Sequence, residues 1–297
     1  MKQLAIIGPT ASGKSDLAIK IAKKIDAHIL SIDSLSIYKE IDIVSAKPSK
    51  EELSKVKHFG IDEIYPDEHF SVDIFIKLYK EVETTCKKEN KNLVIVGGTS
   101  FYLKSLLQGL SPLPKLSPDT SIAVEKKMSD LKEVYEFLKS KDDEHMNQIS
   151  PNDSYRIEKA LIIYEASKIL PSEWFKKNPP QPIIKDLKIY NIDVEREVLR
   201  ERIQKRTNKM LEMGLIDEVA YLEQKYTRSP NSMGAIGIVE VLEYLDGKVT
   251  KDEMLELIST HTAQLAKRQQ TFNKNQFEEI ISAPLEELED IILTDMA

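Results

Sequence analysis

The sequence predicts an α/β protein, a doubly wound and mostly parallel sheet interrupted by a helical insertion. Three observations predict it. Short apolar strands alternate with amphipathic helices through about residue 110. The stretch from Pro118 to about Leu170 is helical, charged and poor in strand signals. One more apolar strand, Leu187 to Val194, then follows a proline cluster. Strands alternating with helices imply right-handed crossovers and a parallel sheet.

In chain order, LAIIG (Leu4 to Gly8) is a short buried strand, and Lys14 to Ile25 has apolar residues at helical spacing. HILSID (His28 to Asp33) is a second strand, and Ser71 opens a helix that runs to Lys88. NLVIVGG (Asn92 to Gly98) is a continuous apolar run, as expected of a strand covered on both faces. The pattern changes near Pro112 and Pro114, and KNPPQP (Lys177 to Pro182) punctuates the chain again. Residues 1–115 and 183–297 therefore read as the α/β core, and 116–182 as the insertion. After Leu187 to Val194, helices are expected over Glu195 to Tyr226, Gly237 to Leu245 and Lys251 to about Lys274. The acidic, apolar last dozen residues read as a surface helix with no assigned role.

The chain of 297 residues is 41% hydrophobic and 31% charged, enough apolar side chain for a core and too much for a disordered state. No apolar run approaches the ~20 residues of a membrane span, and MKQLAIIGPT reaches glycine and proline too soon for a signal peptide. The single cysteine, Cys86, forms no internal disulfide. A cytoplasmic, membrane-free protein is expected. The net charge of −7 provides no global field for nucleic acid, so any such site must be a local basic surface. The five histidines, His28, His58, His69, His145 and His261, have no metal-ligand spacing.

GPTASGKS (Gly8 to Ser15) matches G-x-x-x-x-G-K-[ST] between a strand and a helix. The backbone N–H groups of such a loop cradle phosphate oxygens, Lys14 reaches a terminal phosphate, Ser15 can hold Mg2+, and the helix N-terminus adds positive potential. The fold class is thus P-loop NTPase-like. A nucleotide hydrolase usually places a magnesium-binding aspartate after a later strand. Here that strand ends in Gly97, Gly98 and Thr99, leaving Asp33 as the nearest carboxylate. Strand ends in a parallel sheet open onto one crevice, so Asp33 and Thr99 face the bound phosphate or, alternatively, serve as local turn residues.

Further blocks follow: SIDSLSIY (Ser31 to Tyr38), SAKP (Ser45 to Pro48), VGGTSFY (Val96 to Tyr102), NDSYRIEKAL (Asn152 to Leu161), RIQKRTNKMLEMGLIDEV (Arg202 to Val219), AIG (Ala235 to Gly237) and AKRQQTFNKNQ (Ala266 to Gln276). In this order, over nearly the whole chain, they resemble the tRNA dimethylallyltransferases. The resemblance implies transfer of a dimethylallyl group from dimethylallyl diphosphate to N6 of the adenosine 3′ of the anticodon, in tRNAs reading codons that begin with U. It implies action on the tRNA anticodon stem-loop, and a monomer is expected. The loop (Gly8, Pro9, Thr10, Ala11, Ser12, Gly13, Lys14, Ser15) would hold the leaving diphosphate together with Arg206, and no γ-phosphate need be attacked. Asp33 would be the general base and Thr99 would orient the reacting groups. For tRNA contacts the resemblance indicates Asp33, Ser34, Leu35 and Ser36, then Tyr155, Arg156 and Lys159 in the insertion. Gly234, Ile236 and Gly237 follow, and finally Gln264, Lys267, Arg268 and Gln269.

The chain departs from the family pattern at Ser36, where glutamine is usual, at Ile238-Val239, where an aromatic and a base are usual, and at Ala263, where arginine is usual. Three other functions use the same loop. A small-molecule kinase would turn over ATP. An adenylate isopentenyltransferase would prenylate free nucleotides and need no basic C-terminal helix. A non-catalytic RNA-binding protein would not need Lys14.

Overall fold

A computed structural model of the chain describes residues 1–296. The first unit begins with β1 (Gln3–Ile7), α1 (Lys14–Lys24), β2 (Ala27–Ser31), α2 (Lys50–Lys55), β3 (His58–Phe59), α3 (Val72–Glu89), β4 (Asn92–Gly97) and α4 (Ser100–Gln108). Five helices follow: α5 (Pro118–Lys127), α6 (Leu131–Lys141), α7 (Asp143–Met146), α8 (Ser154–Ser167) and α9 (Pro171–Lys177). The chain then continues through β5 (Lys188–Asp193), α10 (Arg196–Glu212), α11 (Leu215–Tyr226), a 3-10 turn (Asn231–Gly234), α12 (Ile238–Leu245), α13 (Lys251–Gln276), β6 (Ile281–Pro284) and α14 (Leu285–Met296).

The six strands form one parallel sheet in the order β3-β2-β4-β1-β5-β6. In the centre, Ala5 of β1 lies opposite Ile95 of β4 and Ile189 of β5. Leu93, Val94 and Ile95 of β4 are fully buried, which is why this strand reads as an unbroken apolar run rather than an alternating one. The loops after β1, β4 and β2 emerge side by side from neighbouring C-terminal strand ends, where ligands bind in open α/β sheets.

The chain folds as two compact units, Met1–Leu106 with Ile184–Ala297, and Leu107–Ile183. The second unit has a core of its own, including Val134, Leu138, Met146, Ile157 and Leu161. Trp174 of α9 is used within that unit, its indole N–H donating to the carbonyl of Pro112 at 2.8 Å.

Two expectations are corrected. The helical run from Glu195 to Tyr226 is two helices, because Gly214 between α10 and α11 takes φ +100°, a conformation that ends a right-handed helix. The last residues are not a mere surface helix. α14 buries Leu288 and Ile292 in the main core with Ile21 and Ala18 of α1, and Glu289 meets Lys24 at 2.8 Å. The short α2, β3 and β6 were not anticipated; two to six residues carry too little periodicity to announce themselves.

Candidate active site

The loop after β1 is built by conformation before chemistry. Ala11 (φ +62°) and Gly13 (φ +90°) turn the backbone to the left-handed side, so successive N–H groups converge in an anion-binding concavity ahead of α1. A side chain at Gly13 would also sit 2.8 Å from Leu285 Cδ2, so α14 braces the loop from behind. Lys14 Nζ donates to the carbonyl of Pro9 at 3.1 Å, folding back over the loop. Burial lowers the Lys14 pKa to about 8, with the Asp33 carboxylate opposing the shift and the Arg206 guanidinium adding to it.

Helix α10 supplies the guanidinium groups. Arg202 and Arg206 lie four residues apart on one face. Arg202 Nη1 donates to the Ser12 carbonyl at 3.4 Å, and Arg206 Nη1 donates to Thr10 Oγ1 at 3.3 Å. Burial disfavours the charge on Arg206, and the Asp33 carboxylate favours it. Arg196 and Arg200, on the other phase of the same helix, line a groove against α13.

Asp33 follows β2. Its Oδ1 accepts the N–H groups of Leu35 (2.9 Å) and Ser36 (3.2 Å), so the turn role open to it in the sequence is realised, with Oδ2 left to the cavity. Thr99 follows β4, and its Oγ1 accepts the Ser34 N–H at 3.2 Å, tying the two strand ends together. Asp33, Thr10 and Arg206 line two adjoining cavities. The smaller, of about 60 Å³, is polar and holds Lys14, Ser15, Ser36 and His58. The larger, of about 640 Å³, has Thr99 at its edge and apolar walls that include Phe70, Tyr102, Met210 and Phe272. Tyr102 stacks on Phe75 with ring centroids 4.8 Å apart.

The remaining expected residues divide among these surfaces. Ser34, Leu35, Gly234, Ile236, Gly237, Arg268 and Gln269 line the larger cavity. Gln264 and Lys267 point into the groove between α10 and α13, where Ala263 also lies. Tyr155, Arg156 and Lys159 are on α8 in the second unit, with the Lys159 ammonium 5.0 Å from the Tyr155 ring centroid. Glu240 of α12 holds the 234–237 loop: its Oε2 accepts the Gly237 N–H and its Oε1 meets His261 Nδ1, both at 2.6 Å.

Sequence reasoning missed His58, Tyr38, Met210 and Glu218. His58 sits in β3, its Nδ1 bonded to the Val56 carbonyl at 2.7 Å and its ring lining the polar cavity. Glu218 of α11 accepts the N–H groups of Asp42, Ile43 and Val44 at 2.8 to 3.0 Å, fixing the loop that brings Val44 and Ser45 to the cavity. No local signal marks it, because its partners lie some 175 residues away. Glu218→Ala strands these donors. We expect it to lower unfolding stability by ~1–3 kcal/mol, measured by urea denaturation.

Fold and site together define a P-loop α/β enzyme whose strand-end carboxylate borders both the polar cavity of the anion loop and the apolar cavity adjoining it. The chain belongs to the IPP transferase family, whose model matches residues 36–276. It is similar to a tRNA dimethylallyltransferase of Sulfurimonas denitrificans, 68% identical over the full length of both chains. It is similar also to one of Helicobacter pylori, 43% identical over 98% of this chain and 93% of that one. Among solved structures, the tRNA delta(2)-isopentenylpyrophosphate transferase of Staphylococcus epidermidis matches at 33% identity with a TM-score of 0.71, covering 100% of this chain and 99% of that one. A eukaryotic dimethylallyltransferase acting on tRNA shares the fold, with a TM-score of 0.84 at 24% identity over 99% of this chain and 77% of that one.

Proposed function

We propose that the chain transfers a dimethylallyl group from dimethylallyl diphosphate to N6 of the adenosine 3′ of the tRNA anticodon. The carrying observation is that the polar phosphate cavity and the apolar cavity share Asp33, Thr10 and Arg206, so leaving group and acceptor meet at one carboxylate. Family membership and the similarity to tRNA dimethylallyltransferases support the same reading.

The chemistry follows from the residues. The bond from the allylic carbon to diphosphate oxygen breaks as the carbon–nitrogen bond forms. Loop N–H groups, Lys14 and Arg206 stabilise the charge gathering on the leaving diphosphate. Asp33 Oδ2 accepts the proton the amine loses, while Oδ1 stays with its turn. Thr99, its oxygen already accepting from Ser34, keeps its hydroxyl hydrogen for the reacting groups. The apolar walls keep water from the allylic carbon as positive charge develops on it. An adenosine stacked in the anticodon loop must be extruded to reach this cavity.

Magnesium fits the Ser15 hydroxyl, a hard oxygen donor that lines the polar cavity. When bound, it would neutralise diphosphate charge. Because all these residues come from one chain, a monomer is sufficient, and the tRNA substrate with a lone buried Cys86 is consistent with a cytoplasmic setting. Among the described residues no helix is long and apolar enough to cross a membrane.

The test is transfer of radiolabel from dimethylallyl diphosphate, with magnesium, to unmodified tRNA carrying adenosine beside the anticodon. Parallel reactions offer AMP as acceptor and ATP as donor. Label in tRNA alone is expected. Label in AMP, or phosphate release from ATP without transfer to tRNA, would overturn the reading in favour of a nucleotide prenyltransferase or a kinase.

A further inference from the structure

Gln269 sits on α13 beside exposed Lys267 and Arg268, but both ends of its amide are engaged by protein backbone. Its Oε1 accepts the N–H of Thr10 in the phosphate loop at 2.8 Å. Its Nε2 donates to the carbonyl of Gly98, just past β4, at 3.1 Å. One side chain thus spans the gap between the loop after β1 and the turn that carries Thr99. Space for it exists only because residue 98 is glycine: a Cβ there would lie 2.3 Å from Gln269 Nε2. Thr10 is held a second time through its hydroxyl by Arg206. With its N–H occupied, Thr10 offers no backbone donor to a diphosphate, which is left to the N–H groups nearer Gly13 and α1.

We infer that Gln269 is a positioning residue for the diphosphate donor, setting the separation between the phosphate loop and the Thr99 turn, and not a reader of the tRNA base. With its carbonyl oxygen and one amide N–H committed to the Thr10 loop and the Gly98 turn, the side chain is oriented by these two backbone segments rather than by a base. The spacing it sets governs where the allylic carbon lies relative to Asp33. This role rests on the prenyl-transfer reading.

Gln269→Leu, close in size, removes both bonds. With two hydrogen bonds at stake, we expect inorganic pyrophosphate with magnesium to bind about tenfold more weakly by calorimetry. The single-turnover transfer rate falls by at least as much, and affinity for an unmodified anticodon stem-loop stays within twofold. Gly98→Ala supplies a second arm. Its methyl group displaces the end of Gln269, so it should reproduce the Gln269→Leu losses, and the double variant should be no worse than either single variant. Weakened tRNA binding with unchanged pyrophosphate binding overturns the inference, as do parallel loss of both, loss of neither, or additive effects in the double variant. Wild-type protein that binds no pyrophosphate overturns the donor reading itself and this role with it.

Discussion

Asp33→Asn is expected to lower the single-turnover rate of dimethylallyl transfer by about 10²–10⁴-fold while leaving tRNA affinity within a few-fold. Asparagine is the informative replacement because Asp33 has two duties on separate oxygens. Oδ1 organises the turn by accepting from Leu35 and Ser36, and an amide oxygen can do the same. Oδ2 is the base in the proposed transfer, and an amide nitrogen cannot take a proton there. Asp33→Ala removes both functions. It should therefore lose tRNA affinity as well as rate, since Ser34, Leu35 and Ser36 would no longer be held beside Thr99. Rapid-quench transfer and filter binding separate the two effects. Wild-type single-turnover speed in the asparagine variant would remove Asp33 from proton transfer.

Lys14→Met is expected to cost about 10²–10³-fold in transfer, as loss of one preorganised partner for a developing anion does elsewhere. Its pH signature is more specific. Burial brings Lys14 down to about 8 from 10.5, so the free enzyme loses this positive charge as pH rises through about 8. A diphosphate binds the protonated form better, so pyrophosphate affinity should fall as pH rises through that value. Lys14→Arg, which keeps its charge, should flatten the profile, and the ligand's own proton equilibria are common to both proteins. Stability has the opposite sign. Between about pH 8 and 10.5 the unfolded chain binds more protons at this residue than the folded one, so wild-type stability rises across the window. Lys14→Met should lack that increment. Calorimetric titrations at pH 7 and 9, with urea melts at pH 8 and 10, test both statements.

The departures from the family pattern fall on distinct surfaces. Ser36 is buried against the polar cavity, where its N–H completes the Asp33 turn. Val239 is partly exposed on α12, behind the loop that Glu240 holds. Ala263 opens the groove between α10 and α13. The phosphate-loop motif, Asp33, Thr99 and Arg206 are not among these departures.

Sequence alone determined whatever neighbouring residues decide together. The strands were legible because burial on both faces of a parallel sheet leaves continuous apolar runs such as Leu93 to Val96. The phosphate loop was legible because its glycines, Lys14 and Ser15 are contiguous and their spacing carries the chemistry. Asp33 and Thr99 stood out because strand ends are predictable places in this architecture. Tertiary structure alone decided the rest, where helical phase and distant partners count. Four arginines crowd α10; the family resemblance singles out Arg206, and packing adds Arg202 at the loop and turns Arg196 and Arg200 to the groove. Gln269 meets Thr10 from 259 positions away, Glu218 meets Ile43 from 175, and α14 returns from the end of the chain to brace Gly13. A hydrogen bond of that kind leaves no local periodicity; it exists only once the sheet has brought both ends of the chain to the same crevice.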